Sequence, residues 1–116
     1  VALAAERGGA DAVSLINTIR AAAIDPRTGD AWLGGGTGGL SGPAVRAVAL
    51  AQVVAVSAAV DVPIVAMGGI ATGRDAADMI RAGAALVAVG TESFRDSAAG
   101  SRIAAELSEE LEAVSG

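Results

Sequence analysis

Two stretches have the residue types most able to do chemistry: Val65-Ala66-Met67-Gly68-Gly69-Ile70-Ala71-Thr72-Gly73 and its echo Val87-Ala88-Val89-Gly90-Thr91. In each, a short apolar run ends in glycine and a helical pattern follows. Glycine there removes side chains and bares backbone N–H groups, and such groups beside a helix N-terminus bind phosphate. A third stretch, Gly34-Gly35-Gly36-Thr37-Gly38-Gly39-Leu40-Ser41-Gly42-Pro43, is denser still in glycine. It reads as a flexible linker or as an anion-binding loop. Pro43 suits a first helical position and favours the loop, because the backbone then runs straight into a helix start. No Gly-Lys-Ser/Thr follows, so a Walker A loop is excluded. Asn17 and Thr18 end an earlier apolar run. An Asn there offers two donors and an acceptor to a planar amide or carboxylate ligand, or it caps a turn.

The missing residue types narrow the chemistry. The sequence has no Cys, so it holds no disulfide, thiolate metal site or cysteine nucleophile. It has no His, the commonest general base. It also has no Lys. No metal site is expected within this segment. The net charge of −5, with no basic cluster, argues against nucleic acid as a partner. No apolar run approaches the roughly 18 residues of a membrane span, so the chain reads as soluble; the localisation expected is cytoplasmic.

The positioning elements follow from hydrophobic periodicity. Val1 to Arg7 reads as the tail of a helix closed by Gly8-Gly9. Ala12 to Asn17 reads as a strand. Asp25-Pro26-Arg27-Thr28-Gly29-Asp30 has strong turn chemistry, flanked by Ala22-Ala23-Ile24 and Ala31-Trp32-Leu33. It predicts a small hairpin within residues 21–36, with Trp32 packing it onto the rest of the molecule or onto a partner. A helix is predicted from Pro43 to Val60, with Val45, Val48, Ala49, Gln52, Val53 and Val56 as its inner face. A strand follows from Ile64 to Met67. A helix runs from Thr72 or Gly73 to Ala82, with Asp75 and Arg81 complementing its dipole. Ala85 to Val89 is the last strand and Phe94 to Ser97 a connector. The final helix spans Ala98 to Val114, with Ile103, Leu107, Leu111 and Val114 inward and the Glu residues outward.

Strands alternating with helices imply right-handed βαβ units and a parallel sheet. A strand buried on both faces reads as a short continuous apolar run, as here. A Rossmann fingerprint is absent, because Gly68-Gly69 and Gly73 lack its spacing. Two successive glycine-tipped strand ends match the phosphate site built from the last two loops of a (β/α)8 barrel. Such a barrel needs about 250 residues, and this chain has 116. The expected fold is α/β: the C-terminal part of a single (β/α)8 TIM-barrel domain across residues 1–116, its N-terminal part absent.

Several of these segments also resemble a known family: Ile16-Asn17-Thr18, Thr37-Gly38-Gly39-Leu40-Ser41-Gly42-Pro43-Ala44, Met67-Gly68-Gly69-Ile70, Ala82-Gly83-Ala84 and Val89-Gly90-Thr91. Together they are similar to the C-terminal part of class 1 dihydroorotate dehydrogenases, most closely class 1B. The resemblance implies FMN-dependent oxidation of (S)-dihydroorotate to orotate in pyrimidine synthesis. It implies substrate contacts at Asn17 and Thr18, and FMN contacts at Ile16, Gly42, Gly68, Gly69, Gly90 and Thr91. It places the catalytic cysteine and a flavin-contacting lysine upstream of this segment, which alone is expected to be inactive. It further implies an iron–sulfur and FAD electron-transfer subunit, and a homo-oligomer in the full-length protein. The sequence departs from relatives at Ala21-Ala22-Ala23, where they have a longer or Gly-containing hairpin entry. Two other readings stand beside it: a related flavin barrel such as a dihydropyrimidine dehydrogenase, and a non-catalytic half-barrel that binds phosphate.

Overall fold

The computed structural model describes residues 1–115, with side chains through Ala113. Along the chain run α1 (Ala2–Arg7), β1 (Val13–Leu15), β2 (Ile19–Ala21), β3 (Gly38–Leu40), a 3₁₀ turn (Pro43–Val45), α2 (Arg46–Ala59), β4 (Ile64–Met67), α3 (Gly73–Arg81), β5 (Leu86–Ala88), α4 (Glu92–Arg95) and α5 (Ala99–Ser115). β4 lies between β1 and β5, parallel to both. Val13 pairs with Ile64, and Val65 with Leu86. The architecture is the expected one, parallel strands alternating with helices as in part of an α/β barrel.

β4 shows why the apolar run forms a central strand. Ile64 and Ala66 are buried, while Val65 and Met67 are half-buried on the other face. The buried face meets Ala49 and Val53 of α2, Ala76 and Met79 of α3, and Ile103 of α5 in one core. Alanine at three of these positions lets helices come close to the sheet, and Met79, fully buried, fills the remaining space. α1 is pinned to this layer through Glu6, which accepts from the Asp61 and Val62 N–H groups (2.5 and 3.1 Å).

The α3 start matches the sequence reading closely. Thr72 is the N-cap and accepts from the Asp75 N–H (3.1 Å). The Asp75 carboxylate accepts back from the Thr72 N–H (3.1 Å), completing a capping box.

Other segments correct the expectation. β1 ends at Leu15 rather than Asn17, although the Ile16 N–H still donates to the Met67 carbonyl (3.0 Å). The hairpin is longer than residues 21–36: Ile19–Ala21 pairs antiparallel with Gly38–Leu40, and Ile24 bridges Ala31 further out. Gly38-Gly39-Leu40 is therefore strand, not loop. Gly39 lies opposite Arg20 and against Thr18, whose side chain occupies the space a Cβ would need. Trp32 is 60% exposed and does not pack the hairpin down. The inner face of α2 is narrower than expected, since Val48 and Gln52 are exposed. Phe94 and Arg95, expected to open a connector through Ser97, instead close a short helix, Glu92–Arg95. On α5, Ile103 is buried and Leu107 half-buried, but Leu111 is exposed; the Val114 side chain lies outside the described residues. Glu106 does not face away, because its carboxylate accepts from the Gly73 N–H (2.6 Å).

Candidate functional site

The C-terminal ends of β1, β4 and β5 open onto one cleft of about 500 Å³. All eight residues singled out from the sequence line it: Ile16, Asn17, Thr18, Gly42, Gly68, Gly69, Gly90 and Thr91. β1 delivers Ile16 to Thr18, the segment after β3 delivers Gly42, and the ends of β4 and β5 deliver the rest. Of the glycine-dense stretch, only Leu40, Ser41, Gly42 and Pro43 reach the cleft.

The glycines differ in what they do. Gly68 and Gly69 both have positive φ (126° and 73°), a backbone region that L side chains rarely adopt. Their turn folds the chain against its neighbours. A Cβ at Gly69 would stand 2.6 Å from the Gly42 carbonyl oxygen and 2.9 Å from the Arg46 nitrogen. A Cβ at Gly42 would reach Thr91 Cγ2 at 3.5 Å. Three loops therefore converge. Gly90 stands apart, because no atom lies within 4 Å of the Cβ position. Among the described residues, the N–H groups of Gly69, Gly90 and Thr91 have no acceptor within the chain. This floor of bare amides beside open space can accept an anion. No Arg side chain lines the cleft, so the backbone is its main source of positive potential.

Asn17 makes the turn contact raised by the sequence and keeps its amide nitrogen open. Its Oδ1 accepts from the Thr18 N–H (2.7 Å), which caps the turn. Its amide nitrogen has no partner among the described residues and lies in a cleft wall.

Beneath the cleft floor lies an ionic network that sequence reasoning missed. Glu92, 8% exposed, reaches the cleft edge, and its carboxylate is paired with Arg95 and with Arg102 (3.3 Å). Arg102 also bonds Asp96 (2.9 Å), Glu106 (3.0 Å) and the Ala71 carbonyl (3.2 Å). Arg46 pairs with the largely buried Asp75 (3.0 Å). The Arg102–Glu106 spacing of i,i+4 was a visible signal. The links to Glu92 and Ala71 depend on how α5 packs, and local pattern does not report that.

These contacts shift the ionisable groups. The Arg102 hydrogen bond, then the Ala98 N–H, hold the Asp96 carboxyl below its ordinary value. The Gly73 N–H, then Arg102, do the same for Glu106. A carboxyl depressed in the folded state stabilises the fold above its unfolded pKa, and that contribution is lost as pH falls through the folded value. Thermal stability is therefore expected to hold from pH 7 to 5 as far as these groups decide it, and to fall below about pH 4. Arg102→Met should make that acid limb shallower; a melting temperature series against pH checks both.

Comparison with known proteins gives this cleft its context. A family model described as dihydroorotate dehydrogenase matches residues 1–111. The chain belongs to the dihydroorotate dehydrogenase family. A Solibacter usitatus protein named for dihydroorotate dehydrogenase A (fumarate) is 51% identical over 97% of this chain and 37% of its own length. The dihydroorotate dehydrogenase B (NAD(+)) catalytic subunit of Desulforudis audaxviator is 50% identical, over 96% of this chain and 36% of its own. That of Geobacter metallireducens is 51% identical, over 88% and 33%. The crystal structure of Eimeria tenella DHODH in complex with ferulenol superposes with a TM-score of 0.79 at 32% identity, covering 98% of this chain and 30% of that one. The chain thus spans about a third of the length of the curated relatives compared. Among the described residues, no helix is long and apolar enough to cross a membrane.

Proposed function

We propose that this chain forms the phosphate end of an FMN site, and part of the substrate site, within a single barrel domain that oxidises (S)-dihydroorotate to orotate. The observation supporting this reading is the convergence of all eight residues on one cleft, with the Gly90 Cβ position facing empty space. FMN fits the cleft's chemistry: its phosphate is an anion, and the amides of Gly69, Gly90 and Thr91 are unclaimed donors. Glu92 does not oppose that anion with a bare charge, because Arg95 and Arg102 both pair with it. When bound, FMN supplies the hydride acceptor.

The chain's own residues bind and orient. In this reading Ile16, Gly42, Gly68, Gly69, Gly90 and Thr91 hold FMN. Asn17 and Thr18 hold the planar carboxylate substrate. The catalytic cysteine and the flavin-contacting lysine come from elsewhere in the domain, since this chain has neither residue type. Residues 1–116 alone are then inactive. The family membership supports dihydroorotate over other dihydropyrimidines. The class 1B resemblance adds an iron–sulfur and FAD electron-transfer subunit, a homo-oligomer and a cytoplasmic setting to the proposal.

The test is the full-length protein, purified and assayed for flavin absorbance and for orotate formation from dihydroorotate. Bound FMN with turnover is expected; protein free of flavin and inert after FMN addition overturns the reading. Within it, Asn17→Ala should raise KM for dihydroorotate by about 10- to 100-fold, the range for losing a hydrogen bond to a charged ligand. FMN should stay bound. Unchanged KM and kcat would reject the role of Asn17.

A further inference from the structure

We propose that Arg102 is a positioning residue that fixes the two glycine-tipped loops in one arrangement and so sets the affinity of the cleft for a phosphate group. The inference rests on the flavin-phosphate reading above. Arg102 stands on α5, outside the cleft lining, yet its guanidinium reaches both loops. One nitrogen, Nη2, donates to the Ala71 carbonyl on the loop after β4 (3.2 Å) and to Glu92 Oε1 on the helix after β5 (3.3 Å). Ala71 and Glu92 both line the cleft.

The rest of the fork is anchored away from the cleft. Nε donates to Asp96 (2.9 Å), on the segment joining α4 to α5. Nη1 donates to Glu106 (3.0 Å), whose other oxygen accepts from the Gly73 N–H (2.6 Å). A planar guanidinium held on three sides has little freedom to turn. Ala71 and Glu92 are therefore held at a set separation. The amides of Gly69, Gly90 and Thr91 belong to the same two loops, so their convergence depends on that separation.

A second effect acts in the same direction. Glu92 is largely buried at the cleft edge. With Arg102 in place, its charge is shared between two guanidinium groups. Without Arg102, only Arg95 pairs with it, and the side chain of Arg95 is 75% exposed. The residual negative charge would then repel an incoming phosphate. A Lys at 102 would restore charge but not the fork that bonds three elements at once.

The experiment compares two ligands that differ only in phosphate. FMN and riboflavin are titrated into flavin-stripped full-length protein, wild type, Arg102→Met and Arg102→Lys, and dissociation constants are read from flavin fluorescence. Arg102→Met is expected to weaken FMN at least about tenfold while riboflavin changes less than about threefold. Arg102→Lys should fall between Met and wild type. Equal weakening of both ligands would show a role in general packing only, and FMN affinity within about twofold of wild type would show none; either overturns the proposal. If Arg102→Met does not fold, Arg102→Lys decides: FMN weakened at least about threefold with riboflavin unchanged supports the proposal, and a smaller or equal effect overturns it. Wild-type protein that binds FMN no more tightly than riboflavin overturns the flavin-phosphate reading itself.

Discussion

Gly90→Val is expected to empty the cleft of flavin while leaving the fold as stable as wild type. The Cβ position at Gly90 has no atom within 4 Å, and its backbone is not in the left-handed region. An added Cβ there meets no atom within 4 Å, so stability is expected to stay within about 0.5 kcal/mol, as at an open surface site. Gly90 lines the cleft, so the added carbons are expected to take up space there, beside the free N–H groups of Gly90 and Thr91. An anion loses both space and donors. Flavin content, read as the ratio of flavin to protein absorbance after dialysis, should drop at least about tenfold, with an unchanged melting temperature in the absence of flavin. Full occupancy in the variant would remove the phosphate from this position.

Gly68→Val would give a similar loss for a different reason. Gly68 has φ +126°, and its Cβ position lies 2.9 Å from Ala49 Cβ and 3.3 Å from Ile16 Cγ1. The missing side chain leaves room for Ala49 of α2 and for Ile16 just after β1, not for ligand. Flavin loss there would accompany loss of packing and says nothing about the phosphate. Two glycines in equivalent sequence settings thus have different constraints, and only the surrounding atoms separate them.

That difference marks where the sequence was legible. Ile64–Met67 was readable because a four-residue apolar run bounded by Pro63 and Gly68 has few other solutions. The α3 start was readable because Thr72 and Asp75 make a capping box through local spacing. Asn17, Thr18, Gly68, Gly69, Gly90 and Thr91 were readable because strand ends in a parallel α/β fold share one side, whereas Ile16 and Gly42 came only through the family resemblance. The hairpin was not. Gly38-Gly39 looks like loop, and it becomes strand only because Ile19–Ala21, some twenty residues earlier, offers the partner edge. Arg102 was readable as half of an i,i+4 pair with Glu106 but not as a bridge to Ala71 and Glu92, since those lie 31 and 10 residues away. Glu106 likewise reads as a solvated helix residue until α3 is seen to start against it. These three misses are polar or glycine residues whose partners lie far along the chain.

Gly73→Ala is the expected large stability defect, and here two opposing effects can be weighed. An alanine in a helix is ordinarily favoured over glycine by about 1 kcal/mol. Gly73 opens α3, so propensity alone predicts a gain. Packing predicts the reverse. The Cβ would lie 2.2 Å from Glu106 Cβ, 2.5 Å from the Glu106 carbonyl carbon and 2.6 Å from the Leu107 nitrogen. Two of these are backbone atoms inside α5 and cannot swing aside as a side-chain tip would. Overpacking costs about 1–3 kcal/mol, and more where backbone must move; displacing α5 also breaks the bond from the Gly73 N–H to Glu106. The net is a loss of about 2 kcal/mol or more, measurable as a lower denaturant midpoint at unchanged slope. Wild-type stability in this variant would mean that α3 and α5 can separate without cost. The same displacement would carry Arg102 away from Ala71, so flavin affinity should fall together with stability here, whereas Gly90→Val should lower affinity alone.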